Sequence, residues 1–198
     1  MNDTGAAGNA VEGRRRIWVP LAVVGVLAAL ITAEAVFAAS QPDGVEVVPD
    51  TVIAFGPDQR ATVQVGDGWV LDSAASDINS RIVLVRGDTV VELSTVTFPE
   101  GTSPGEMWNG FDRLLDIQRG QGTEVWLDSP TEYENTAGLA GLEGKLQVGS
   151  RVGEAYVLPD DEGATAVEAQ VLAPSHASDE DRAAAAALID TIAIEEAS

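Results

Sequence analysis

Cysteine is absent from this 198-residue chain, lysine and histidine occur once each (Lys145, His176), and aromatic residues make up 5%. Without cysteine there are no disulfides, no thiolate metal sites and no cysteine nucleophile. A single histidine leaves no ligand set for zinc of the usual nitrogen and sulfur kind. Positive charge is scarce as well: 11 Lys and Arg stand against 32 Asp and Glu, a formal net charge of −21. Such a surface repels nucleic acid and anionic lipid, which leaves neutral, cationic or divalent-metal-bearing partners. The same bias also fits plain solubility, because it runs along the whole chain.

What is present is a long uncharged run. The seventeen residues Ile17 to Ala33 follow Arg14, Arg15 and Arg16. As a helix they cover about 25 Å, slightly short of a hydrocarbon core of about 30 Å. Continuation past Glu34 through Ala39 supplies the missing length and leaves one carboxylate near the far headgroups. Trp18 falls at the near interface, and Pro20 in the first turn, where its missing N–H breaks no helical bond. The three arginines cancel Asp3, Glu12 and Glu34, so the whole net charge lies beyond residue 40. The expected arrangement is a cytoplasmic tail over 1–16, a transmembrane helix or signal anchor over 17–39 and an exported remainder. The competing reading is a signal peptide cut near Ala38, after which the protein is secreted.

The exported part opens with a polar tether, Ser40 to Gly44, and a possible first strand from Val45 to Phe55, interrupted at Pro49-Asp50. The compact domain runs from about Val45 or Ala61 to Ile194, and the expected division is tether over 40–60, α+β domain over 61–198. Ala61 to Val65 is a short strand, and Gly66-Asp67-Gly68 is a turn that delivers Trp69 to the next. Arg81–Val85 and Val90–Thr97 flank Arg86-Gly87-Asp88-Thr89, a hairpin signal. Alternation sets Val91, Leu93 and Thr95 against Val90, Glu92 and Ser94, the pattern of a sheet covered on one side.

Ser103, Pro104 and Glu106 form a helix start with a capping box. Met107, Phe111, Leu114, Leu115 and Gln118 then recur at helical spacing, with Asp112, Arg113, Asp116 and Arg119 outward, until Gly120 ends the helix. Strands follow at Glu124–Leu127, Leu139–Val148, Glu154–Leu158 and Thr165–Leu172. Ser178 caps a last helix with Asp179, Glu180 and Asp181 in its first turn. Hairpins and two helices without regular βαβ alternation predict an α+β fold, an antiparallel sheet with two main helices packed on it.

No catalytic, cofactor-binding or metal-binding set emerges. His176 beside Ser175, Ser178 and Asp179 is a loop neighbourhood without a nucleophile-elbow pattern. Asp160-Asp161-Glu162-Gly163 lacks the alternating spacing of a calcium loop and suits a hairpin turn. Arg86-Gly87-Asp88 matches an adhesion tripeptide, but a tight turn needs the same residues. The glycines at 66 and 68 and at 138–144 do not lead from a strand into a phosphate-binding helix. Trp69 and Trp126 are expected in the core, and Trp108 lies one step off the helical stripe.

The run Val65-Gly66-Asp67-Gly68-Trp69, the hairpin, the helix from Ser103, the Gly138–Gly144 segment and the final helix ending Ile189-Asp190-Thr191-Ile192 resemble the Mog1/PsbP-like superfamily over most of residues 61 to 194. The resemblance implies an α/β/α sandwich around an antiparallel sheet. It also implies a binding or assembly role, and it carries over no site residue. The expected protein is a single-pass membrane protein whose exported domain binds an envelope partner without catalysis. The rivals are a cell-wall or polysaccharide hydrolase with two carboxylates, and a ligand-sensing domain.

Overall fold

The computed structural model describes residues 44–195. The expected membrane helix, with its anchor residues Arg14, Arg15, Arg16, Trp18 and Pro20, lies outside them. Among the described residues no helix is long and apolar enough to cross a membrane.

Six short or medium strands come first: β1 (Gly44–Glu46), β2 (Thr51–Phe55), β3 (Ala61–Val65), β4 (Val70–Asp72), β5 (Arg81–Arg86) and β6 (Thr89–Thr97). Helix α1 (Pro104–Gly120) leads to β7 (Val125–Leu127), β8 (Thr131–Glu134), β9 (Ala140–Val148), β10 (Arg151–Pro159) and β11 (Thr165–Pro174). Helix α2 (Asp179–Ile189) and a two-residue strand, β12 (Ala193–Ile194), close the described chain. All strand pairs are antiparallel. The large sheet runs β1-β4-β5-β6-β11-β10-β9-β7, with β8 beside β7 on the same edge of β9, and a small sheet runs β12-β3-β2.

Local signals account for most boundaries. At α1 the Ser103 hydroxyl accepts the Glu106 N–H and the Glu106 carboxylate accepts the Ser103 N–H at 3.0 Å, the reciprocal capping box. The Ser103 hydroxyl, which also donates to that carboxylate at 2.7 Å, and the Ser103 N–H hold the Glu106 carboxyl below its usual range. At α2 the Ser178 hydroxyl accepts the Asp181 N–H at 3.0 Å. The β5–β6 hairpin turns at Gly87-Asp88, with Arg86 opposite Thr89 and Gly87 at φ 54, a left-handed conformation that glycine adopts without a steric penalty.

The large sheet carries a packed layer on each face. On one, Ile82, Leu84, Leu93, Val167 and Ala169 pack with Ala185, Leu188 and Ile189 of α2 and with Phe55, Val63 and Val65 of the small sheet. On the other, Leu146, Ala155, Val157 and Ala166 pack with Met107, Trp108, Phe111 and Leu115 of α1. The one-sided cover expected from the alternation of β6 is therefore wrong, since Glu92 and Ser94 are buried as well. Strand periodicity separates two faces but does not say how many of them meet another layer.

The small sheet joins segments far apart in the chain, with Ala193 opposite Thr62 and Ile194 opposite Ala61. β1 and β2, in the stretch expected as a tether, are each paired, β1 with β4 and β2 with β3.

Candidate functional site

Helix α2 covers β6 and β11 on its face of the sheet and leaves β7, β9 and the start of β10 open. The antiparallel register sets Trp126, Gln147 and Val152 in one row across this open floor, and Lys145 and Glu154 in the next. Glu143 and Tyr156 form a third row, with Thr131 of β8 beside Glu143. The outward side of α2, with Arg182, Ala183 and Ala186, makes the wall. Two clefts of about 420 and 510 Å³ lie here and share Lys145, Glu154, Tyr156, Arg182 and Ala186, so together they form one trough.

Trp126 is 52% exposed and Val152 39%, large apolar side chains at the open end. The core position expected for Trp126 is thus incorrect. Its flanking residues Val125 and Leu127 face α1, and strict alternation turns Trp126 to the uncovered side. Trp69 is 1% exposed and Trp108 4%, so both belong to the core. A Cβ at Gly144 would stand 2.9 Å from the Trp108 ring, which explains the small residue under the trough floor.

The wall is fixed to the sheet at both ends. Arg86 donates from Nε to Asp181 at 3.0 Å, from one terminal nitrogen to Glu180 at 2.7 Å and from the other to the Asp67 carbonyl at 2.6 Å. At the far end the Tyr133 hydroxyl donates to Asp190 at 2.8 Å and the Asn135 side chain to the Ile192 carbonyl at 2.8 Å. Burial and this carboxylate push the Tyr133 phenol up, and burial with the nearby Glu154 charge does the same for Tyr156. Both phenols stay protonated donors at neutral pH.

A second polar cluster occupies the α1 face of β5, β6 and β11. Glu92 stands opposite Gln170, and Glu168 opposite Ser94, so the two carboxylates are diagonal neighbours about 7–8 Å apart along the backbone. Arg81 reaches Glu92 at 3.5 Å and donates to the Ala75 carbonyl at 2.8 Å. Burial raises both carboxyls; Arg81 partly offsets this at Glu92, whereas Glu168, with the Glu92 charge added, is pushed up to about 7. Two carboxylates with one desolvated is the composition a glycosidase uses, but that chemistry needs the pair open to a sugar ring. Glu168 is 4% exposed, and neither carboxylate lines the trough.

The remaining candidates resolve as structure. Arg86 is fully engaged, so Arg86-Gly87-Asp88 does not present a free arginine. His176 is 79% exposed and 3.9 Å from Asp88. Asp160 accepts the Ala164 and Thr165 N–H groups in the β10–β11 turn. Among the described residues no three His, Cys, Asp or Glu side chains are grouped to hold a metal.

A nine-stranded antiparallel sheet between two helices, with one half-face left open, defines a domain of the Mog1/PsbP-like fold. One solved structure bears out the fold. The solution structure of cyanobacterial PsbP (CyanoP) from Synechocystis sp. PCC 6803 matches with a TM-score of 0.53 at 10% identity, over 76% of this chain and 96% of that one. A crystal structure from Bacteroides thetaiotaomicron VPI-5482 matches with a TM-score of 0.40 at 10% identity, over 72% and 47%. No protein-family model matches the chain, and no curated protein matches it in sequence.

Proposed function

We propose that this chain is a single-pass membrane protein, N-terminus cytoplasmic, whose exported domain binds or organises another component of the cell envelope without catalysis. One observation carries the reading: Trp126 and Val152 stand exposed on a rigid sheet floor beside charged side chains. Tryptophan is costly to leave in water and is enriched where binding energy concentrates. The reactive groups point the same way, since the desolvated carboxylates sit away from the trough and the lone histidine touches no nucleophile. The fold agrees, because the superfamily it resembles supplies binding and assembly factors.

A photoreactive residue tests it. With p-benzoylphenylalanine in place of Trp126, expressed at native level in intact cells, a discrete covalent adduct is expected. The same residue in place of Ile117, exposed on α1, is expected to give none. No adduct from position 126, or the same adducts from both, sinks the binding face.

The address has its own measurement. N-terminal sequencing of the mature protein is expected to find the intact tail and helix. A start at Ala39 makes the protein secreted instead.

A further inference from the structure

We infer that the trough takes an extended peptide segment carrying a carboxylate beside an apolar side chain, with the carboxylate between Lys145 and Arg182 and the apolar group on Trp126 and Val152. This rests on the trough being the binding face proposed above. Charge supplies the first reason. In a chain of net charge −21, the only lysine and one of the few arginines line the part common to both clefts. Arg60, Arg81, Arg86 and Arg119 each have a carboxylate within ion-pair distance, whereas Lys145 has none among the described residues.

Arg182 is held in place without being neutralised. One terminal nitrogen donates to the Pro174 and Ser175 carbonyls at 3.2 and 3.0 Å, and the other lies 3.8 Å from Asp179, a fully exposed carboxylate that contributes little. Two cationic heads therefore face one space, one of them preoriented by carbonyls. Such charge-assisted contacts are the strong ones.

The negative members of the trough narrow the ligand further. Glu154 lies among the shared residues, and Glu143 and Asp128 line one cleft. A dianionic group would be repelled by them, while a single carboxylate flanked by amide N–H donors matches both signs. Peptide backbone supplies such donors beside every side chain. A second copy of the chain fits poorly, because two bodies of charge −21 repel.

Full-length protein in detergent, probed with a fluorescent hexapeptide that carries one glutamate next to one valine among serine and glycine, both ends blocked, tests the inference. The glutamate peptide is expected to bind at least about tenfold tighter than its glutamine counterpart, the worth of one charge-assisted hydrogen bond. Lys145→Met should abolish that preference, Lys145→Arg should keep it, and about 1 M salt should weaken binding. Equal or tighter binding of the glutamine or a lysine peptide overturns it, as does full affinity in Lys145→Met. Displacement of the peptide by a tetramer of N-acetylglucosamine at lower concentration overturns it in favour of a glycan. If Trp126 gives adducts in cells but the glutamate peptide shows no preference, the peptide chemistry falls and the binding face stands; if adducts are also missing, both fall.

Discussion

Alanine in place of Trp69 is expected to remove about 3–5 kcal/mol of stability, the usual cost of truncating a buried aromatic side chain. Trp69 is among the largest fully buried side chains and shares a cluster with Phe55 and Val63 of the small sheet, Leu84 and Leu93 of the large one, Leu188 of α2 and Ile192 just beyond it. Its carbonyl also accepts the Val47 N–H at 2.9 Å, which ties the first strands to the body. The cluster thus joins three layers, and alanine at this buried position leaves a void inside it. Domains of this size hold about 5–15 kcal/mol in total, so the loss takes a large share. The check is urea denaturation of the full-length protein, followed by near-ultraviolet circular dichroism. A midpoint unchanged from wild type would show that the cluster does not depend on this residue.

The second large effect depends on pH. Glu168 has an ordinary carboxyl value of 4.5 in the open chain and about 7 in the fold. A raised folded value means that the contribution is fully present below about 4.5 and is lost as pH rises through about 7. Above that, ionising Glu168 beside the Glu92 charge costs the folded state about 2–4 kcal/mol, at about 1.4 kcal/mol per unit. The wild-type protein should therefore lose stability between pH 5 and 8 at this site. Glu168→Gln keeps the shape and removes the charge, so it should be more stable than wild type at pH 8 and similar near pH 4.5. Denaturant midpoints across that range decide the matter; parallel profiles for the two proteins would mean that Glu168 does not titrate against folding.

Much of the fold was legible because its signals are local. Ser103 with Glu106, Ser178 with its acidic turn, and Gly87-Asp88 between two alternating runs each depend on a few neighbouring residues. They marked both helices and the central hairpin close to their observed ends. Strand β8 was not legible: Thr131 to Glu134 lacks apolar alternation and is held by pairing with β9. The small sheet was hidden for the same reason, since β12 is two residues long and finds β3 only after the chain has folded back.

The site was the least legible part. Trp126 looked like a core residue because tryptophan usually is one, and Lys145 and Arg182 were unremarkable while they stood 37 positions apart in the chain. Glu92 and Glu168 were two acidic residues among many until β11 inserted beside β6.

By itself, then, the sequence determined the composition of the surface, the α+β class, the caps and turns, and the alternating strands that put Trp126 opposite to Val125 and Leu127. Only the tertiary structure decided which side of β7, β9 and β10 would remain open. Alternation is a property of neighbouring residues, whereas cover depends on where α2 comes to rest, and Arg86, Tyr133 and Asn135 fix that through contacts between distant segments.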